Sequence, residues 1–186
     1  MRKNFGAKPI TYPQPVFILA AYDENGNANA MNAAWGGIIE ENRVAICISA
    51  EHKTTECILS SKAFTLSMAT ADTVVPCDYV GIVSGNDEPC KMEKAGFTCT
   101  KSELINAPFI NELPMALECT LISYDSESCM LLGEIVNVSA DESVLDEKGR
   151  IDVEKLRPIT FDPVANTYRV IGEKVGNAFR DGLALK

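Results

Sequence analysis

Two long apolar runs in the second half of the chain most constrain its fold. MALECTLISYDS covers residues 115–126, SCMLLGEIVNVSAD covers residues 128–141, and only Glu127 separates them. Runs of this composition are typical of β-strands, and strands joined by so short a connection pair in antiparallel fashion. We therefore predict a long antiparallel hairpin to which the remaining elements must be fitted.

The first half of the chain carries a second hairpin signal. PVFILAAYD, residues 15–23, has strand composition, and the following DENGN contains Asn25-Gly26, a pair that favours a tight hairpin turn. The return strand is predicted from residue 28 to about residue 35. Further strands are predicted at residues 43–49 and 64–69, and in the short runs PITFD and TYRVIGE. Helices are predicted from Thr54 or Thr55 to about Lys62, over residues 72–84, and over residues 88–95.

Six or more antiparallel strands with a few interposed helices predict a mainly β fold, a small closed or partly closed barrel. The regular strand–helix alternation of a parallel sheet is missing. No repeat, low-complexity tract or linker interrupts the 186 residues, so residues 1–186 are predicted to form a single domain.

Charge and hydropathy exclude several classes of partner. The formal net charge is -9 with a pI near 4.7, which argues against nucleic acid and anionic membranes as partners. No run approaches the roughly 20 apolar residues of a membrane span. The opening residues lack the apolar core of a secretory signal, so a cytoplasmic location is expected.

The cysteines do not form a metal-binding pattern. There are seven, their closest spacing is nine residues, and His52 is the only histidine, so no metal site is predicted. Most are interpreted as buried or incidental thiols, and for Cys77 burial is favoured over a redox role. GxGxxG, P-loop, GxSxG and HExxH motifs are absent, and no catalytic residue is assigned.

The run NANAMNAAWGG, residues 27–37, has the composition of a ligand-binding segment. Its small side chains would let a flat ring approach the backbone, while Asn29 and Asn32 can both donate and accept hydrogen bonds. Trp35, the only tryptophan, offers a large rigid surface. The alternative interpretation is plain core packing for Trp35 and solvation for the two asparagines.

A second candidate segment, HKTT at residues 52–55, lies between a predicted strand and a predicted helix. The first N–H groups of a helix are unpaired and its dipole is positive there, so an anion such as phosphate is favoured. Lys53 and two hydroxyls add to this site, although an ordinary helix cap is the alternative. The later run SGND precedes a short helix that could bring Lys91 over a ligand; a surface lysine is the alternative.

These segments, taken in order, resemble the flavin reductase-like, FMN-binding split-barrel family. The resemblance rests on NAMNAAWGG, on TTE opening a helix, and on FTLSMA, and it covers about residues 15–138. The continuation DYVGIVSGND, KAGFT, APFINELPMALEC and GEIVNV is most similar to the flavoredoxin branch. The resemblance implies a Greek-key split β-barrel, a homodimer, and one FMN per subunit near the dimer interface.

The resemblance also implies a set of cofactor-binding residues. It places the phosphate at Lys53, Thr54 and Thr55. It places the ring against Asn29, Met31, Asn32, Ala33, Ala34, Trp35, Ser49 and Ala50. It brings Lys91 and Phe161 toward the cofactor, with Cys77 and Asp78 at the edge of the pocket.

Two departures from the family pattern stand out. Many relatives carry arginine where this chain has His52-Lys53, so the phosphate contact would be a point charge instead of a planar fork. Relatives also often place a histidine in the late hairpin, where this chain has Ser128-Cys129.

The expected function is that of an FMN-binding oxidoreductase or electron carrier, which passes electrons between a reduced donor and a small-molecule or protein redox partner. Because the cofactor supplies the redox chemistry, no catalytic triad is required. One alternative is an NAD(P)H-dependent flavin reductase that releases reduced FMN. Another is a cofactor-free dimeric barrel with a binding role.

Overall fold

The computed structural model describes all 186 residues and is mainly β, with twelve strands and four short α-helices. The strands are β1 (Gln14–Pro15), β2 (Phe17–Tyr22), β3 (Ala28–Ala33), β4 (Gly36–Glu40), β5 (Arg43–Cys47), β6 (Ala63–Met68), β7 (Cys99–Lys101), β8 (Pro108–Ile110), β9 (Met115–Asp125), β10 (Met130–Ala140), β11 (Ile159–Asp162) and β12 (Thr167–Val170). The helices are α1 (Lys53–Ser61), α2 (Val74–Ile82), α3 (Lys91–Lys94) and α4 (Val153–Leu156). The longest helices, α1 and α2, have nine residues each, too few to span a membrane.

Seven strands form one antiparallel sheet in the order β3-β2-β6-β9-β10-β5-β4. The predicted β9–β10 hairpin lies at its centre, with pairs running from Met115–Ala140 to Asp125–Met130. The edge strands β3 and β4 are consecutive in the chain and are joined by residues 34 and 35 alone. Because so short a connection spans only a few ångströms, the two edges must lie close together and the sheet must curl into a half-barrel. The predicted mainly β, split-barrel fold is confirmed.

Two apolar clusters cover the two faces of this sheet. Leu19 belongs to the cluster that includes Phe64 and Leu131, whereas its neighbours Ile18 and Ala20 belong to the cluster that includes residues of α2 and β8. Successive residues of a strand point to opposite faces, so β2 is buried on both sides. This double burial explains why FILAAY is continuously apolar instead of alternating.

The remaining strands form smaller sheets. β1, β11 and β12 pair in the order β1-β11-β12, and β7 pairs with β8. Thr70 and Pro158 form an isolated bridge, which brings the β11 segment beside the end of β6. This arrangement carries Phe161, far along the chain, toward β3 and α2.

Several element boundaries differ from the predictions, and α3 is shorter than the helix predicted over residues 88–95. The return strand ends at Ala33, and Trp35 lies in the connection to β4, a strand that was not predicted. A Cβ atom on Gly36 would lie 2.6 Å from the carbonyl oxygen of Ala45. The glycine therefore permits β4 to lie close to β5. α1 begins at Lys53 with His52 as its N-cap, and α2 begins at Val74 after a short 3-10 turn.

Candidate functional site

Two adjoining cavities lie where α1 and α2 meet β3. The larger has a volume of about 510 Å³ and a mostly apolar lining, and the smaller has a volume of about 220 Å³. Met31, His52, Gly81 and Ile82 line both, so the cavities share a wall. Of the predicted site residues, the larger cavity is lined by Met31, Asn32, Ala33, Ala34, Trp35, Ser49, Asp78 and Phe161. The smaller is lined by Asn29, Met31, Lys53, Thr54 and Lys91.

Two glycines allow α2 and the loop after it to approach the asparagines of β3. A Cβ atom on Gly81 would lie 2.8 Å from the Cβ atom of Asn32, and one on Gly85 would lie 2.2 Å from Nδ2 of Asn29. Real Cβ atoms essentially never come so close. Any larger residue at either position would therefore displace the polar side chain that faces the cavities.

The first turn of α1 supplies unpaired donors to the smaller cavity. His52 makes no side-chain cap, and the N–H groups of Lys53, Thr54 and Thr55 have no acceptor within the chain. The buried hydroxyl of Thr54 donates a hydrogen bond of 2.8 Å to Oδ1 of Asn29, which ties α1 to β3. Free N–H groups at the positive end of a nine-residue helix favour an anionic ligand.

Lys91 adds an uncompensated positive charge to this cavity. Its side chain is 3% exposed, and it makes neither a hydrogen bond nor an ion pair through its amine. Burial lowers the pKa of Lys91 to about 8. Lys53 differs, since its amine lies 2.7 Å from Glu56 and the hydrogen bond to that carboxylate raises its pKa. Lys91 is therefore the cation with no partner, and an anion in the smaller cavity would supply one.

The larger cavity combines apolar walls with a polar edge. Trp35 is 48% exposed, so its indole borders the cavity instead of filling the core. Across the cavity, the rings of Phe161 and Tyr168 are 6.0 Å apart and tilted by 54°. The hydroxyl of Tyr168 donates to Oδ1 of Asp78 at 2.6 Å. Burial, with a further contribution from Asp78, raises the pKa of Tyr168 to about 12, which keeps the phenol neutral.

Three predicted residues line neither cavity. The hydroxyl of Thr55 is buried and donates to the carbonyl oxygen of Ser49 at 2.8 Å, so only its backbone N–H is free. Ala50 is exposed beside the cavity wall. Cys77 is buried, as favoured above, and burial raises its pKa to about 11. A contact between these three residues and a cofactor stays a prediction.

Sequence reasoning did not select several residues that line the larger cavity. They are Val16, Cys47, Ile48, Gly81, Ile82, Cys129 and Tyr168, while His52 belongs to the predicted HKTT segment. Gly81 gave the clearest signal, because a glycine inside a predicted helix usually has a packing reason. Tyr168 gave none, since its place at the cavity depends on the pairing of β11 with β12.

The flavin reductase like domain model matches residues 10–161, so the chain belongs to that family. Flavoredoxin of Desulfovibrio vulgaris (Miyazaki F) matches with a TM-score of 0.93 and 36% identity, covering 98% of this chain and 100% of the other. Flavoredoxin from Methanosarcina acetivorans matches with a TM-score of 0.89 and 27% identity over the full length of both chains.

A third solved structure agrees in fold alone. The FMN-binding domain of a flavin reductases-like enzyme from Shewanella baltica has a TM-score of 0.79 and 21% identity, covering 88% of this chain and 89% of the other. Together the matches confirm the predicted family and its flavoredoxin branch. They support the coarse functional prediction, a flavin-binding redox protein of this family.

Proposed function

We propose that the protein binds FMN and acts as an oxidoreductase or electron carrier, passing electrons between a reduced donor and a redox partner. The observation that supports this most directly is the junction of the two cavities. A cavity with a buried, unpartnered Lys91 and free helix N–H groups opens beside an apolar cavity bordered by Trp35. FMN is a dianionic phosphate attached to a planar, amphipathic ring, and it needs both surroundings at once.

The residues present fit such a group. Lys91, Thr54 and the first N–H groups of α1 would hold the phosphate, since charge-assisted bonds to ammonium and backbone N–H are the strong ones. Ala33 and Ala34 present small side chains against which a ring can lie, and Trp35 flanks them. When bound, FMN supplies the hydride and electron chemistry; the protein binds and orients it and limits access of water.

A titration monitored through Trp35 tests the proposal. Trp35 is the only tryptophan and lines the larger cavity, so its fluorescence should be quenched when the ring docks. FMN and riboflavin differ only in the phosphate, and charge-assisted bonds contribute roughly 1.5–3 kcal/mol each. We therefore expect FMN to bind roughly ten- to hundredfold more tightly than riboflavin. Equal affinities, or no quenching by either compound, would overturn the proposal.

The finer choice between carrier and reductase depends on retention of the cofactor. A carrier should purify yellow and keep its flavin through gel filtration. An NAD(P)H-dependent reductase should purify colourless and consume NAD(P)H only when flavin is added. An absorption spectrum of the purified protein, recorded with and without NADPH, separates the two. The absence of visible absorbance together with no flavin affinity would favour the cofactor-free alternative.

We also propose that two copies of the chain associate. Ile38 and Ile39 on the edge strand β4, and Val136 and Val138 on β10, which β5 separates from β4, are between 45% and 60% exposed. Exposed apolar groups of this kind mark interaction surfaces. Light scattering should then give twice the 20.2 kDa chain mass. A monomeric mass at micromolar concentration would contradict the proposal.

A further inference from the structure

Two of the seven cysteines, Cys47 and Cys129, line the larger cavity. Cys47 is exposed, Cys129 is partly buried, and both are free thiols. By contrast, Cys57, Cys77 and Cys119 are buried, and burial raises their pKa values to about 11, 11 and 12. Buried neutral thiols are unreactive, so Cys47 and Cys129 are the two cysteines available to react at this cavity.

The two cysteines lie side by side where β5 meets the turn before β10. Cys47 is the Cα partner of Met130, and the N–H of Ile48 donates to the carbonyl oxygen of Cys129 at 2.8 Å. Cys129 precedes Met130 in the chain, so a separation of about 3.8 Å between neighbouring Cα atoms and about 4.5–5.5 Å across the strand pair gives roughly 6 Å between the Cα atoms of Cys47 and Cys129. Disulfide-bonded cysteines have Cα atoms at such separations.

Cys129 lines the same cavity as Cys47, although its backbone departs from the regular strand ladder. In a regular ladder, residues offset by one position point to opposite faces of the sheet. Cys129 has a left-handed φ of 57°, which breaks the alternation at this position. The Cys47 thiol lies 3.9 Å from the carbonyl oxygen of Ser128, directly beside Cys129. The N–H of Cys47 donates to the carbonyl oxygen of Trp35 at 2.7 Å, which places the pair next to the proposed ring site.

We infer that Cys47 and Cys129 form a redox-active dithiol that exchanges two electrons with the flavin, and hence that the redox partner of this protein is a thiol–disulfide couple. The inference rests on the proposed function. In the oxidising direction, the two thiols lose two protons and two electrons and a sulfur–sulfur bond forms. Both electrons would pass to a bound oxidised flavin, which would take up two protons from the thiols or solvent. The reverse step opens the disulfide and reoxidises the flavin.

Exchange with the outside partner follows the same chemistry. The sulfur of Cys47, the exposed member of the pair, attacks a disulfide of the partner after its proton passes to solvent, giving a mixed disulfide and releasing one partner thiolate. Attack by Cys129 on the Cys47 sulfur then releases the second partner thiolate and leaves the Cys47–Cys129 disulfide. The Cys47–Cys129 disulfide would return to the dithiol form by taking two electrons from a bound flavin that the donor has reduced, together with two protons.

The test starts from both ends of the equilibrium under anaerobic conditions. Reduced full-length protein is mixed with one equivalent of oxidised FMN, and protein oxidised beforehand with glutathione disulfide is mixed with photoreduced FMN. Alkylation of free thiols and peptide mapping then follow the Cys47–Cys129 cross-link, while visible absorbance follows the flavin. We expect both mixtures to reach the same distribution, with one flavin reduced for every two thiols lost.

The variants Cys47→Ser and Cys129→Ser should each reduce the thiol-dependent change in flavin absorbance at least tenfold. Cys90→Ser, an exposed cysteine outside the cavity lining, should match the parent protein. FMN binding is measured separately by quenching of Trp35. If FMN binds but neither mixture changes its thiol count, or if a different cysteine pair forms, the dithiol inference is overturned while the proposed function stands. If FMN does not bind, the proposed function is wrong, and the proposed electron exchange with flavin is wrong as well. This holds even if glutathione disulfide forms the Cys47–Cys129 disulfide.

Discussion

The hydroxyl of Thr54 and the side-chain amide of Asn29 are joined by a hydrogen bond of 2.8 Å, and both groups are buried. This bond connects the first turn of α1 with β3, two elements that pack directly against each other. Oδ1 of Asn29 accepts this hydrogen bond, and the Nδ2 atom of the same amide faces Gly85. The bond therefore fixes one wall of the smaller cavity.

Thr54→Val should destabilise the protein and weaken FMN binding. The substitution keeps the side-chain volume but leaves the buried Oδ1 of Asn29 without a donor, a loss that costs about 1–3 kcal/mol. Urea unfolding of the FMN-free protein measures this cost. Thr167→Val, at an exposed strand position, is the matched control and should change the free energy of unfolding by no more than about 0.5 kcal/mol. Equal midpoints for the two variants would contradict the assigned role of the bond.

Lys91→Met should weaken FMN binding roughly ten- to hundredfold without destabilising the FMN-free protein. The substitution removes a buried ammonium that has no partner, and burying such a charge is unfavourable, so the free energy of unfolding should stay equal or rise. Calorimetric titration and urea unfolding measure the two effects. Lys94→Met, which alters an exposed lysine on the same helix as Lys91 that is paired with Glu88 in the preceding loop, should leave FMN affinity unchanged. Unchanged affinity in Lys91→Met would remove Lys91 from the phosphate site.

Lys91 should also give FMN binding a distinct pH dependence. Its pKa is about 8 in the folded protein, below the roughly 10.4 of an unfolded lysine. Between these values the unfolded state binds more protons, so the Lys91 contribution to stability of the FMN-free protein rises with pH from about 8 upward. FMN affinity should change in the opposite direction, falling above about pH 8 as the ammonium loses its charge.

The difference between the parent protein and Lys91→Met isolates this effect from other titrating groups. Affinity of the parent should fall toward that of the variant as the pH rises through the window, and the variant should lack this step. A parallel pH profile in the two proteins would assign the dependence to other groups.

Gly85→Ala should lower FMN affinity several-fold and destabilise the protein. The added methyl group would lie 2.2 Å from Nδ2 of Asn29, so the loop or the amide must shift, and such overpacking costs about 1–3 kcal/mol. Gly172→Ala is the control, because an added Cβ there meets nothing within 4 Å. Flavin titration and urea unfolding of both variants provide the comparison. Parent-like values for Gly85→Ala would mean that the loop moves without effect on Asn29.

Much of the fold was readable from local sequence patterns. The β9–β10 hairpin and the β2–β3 hairpin were predicted because strand composition and a tight turn are encoded in adjacent residues. β4 was missed, since its opening Gly36-Gly37 is typical of a break, and the close approach of β5 that favours glycine at Gly36 is a tertiary contact. The start of α1 was also placed too late. Threonine is a common N-cap residue, so Thr54 was predicted to cap the helix, but its hydroxyl donates instead to Asn29 on β3.

The sequence by itself determined the two hairpins β2–β3 and β9–β10, the family resemblance and the segments that carry small, amide and hydroxyl side chains. Only the tertiary structure decided that Trp35 borders a cavity, that the Thr55 hydroxyl is used internally, and that Lys91 is buried and unpaired instead of exposed. The physical reason is that strand and turn preferences act over neighbouring residues, whereas burial and pairing depend on which distant elements meet. Lys91 and Asn29 are 62 residues apart in the chain, yet both line the smaller cavity. The curl of the sheet and the close approach of Gly85 to Asn29 bring them there.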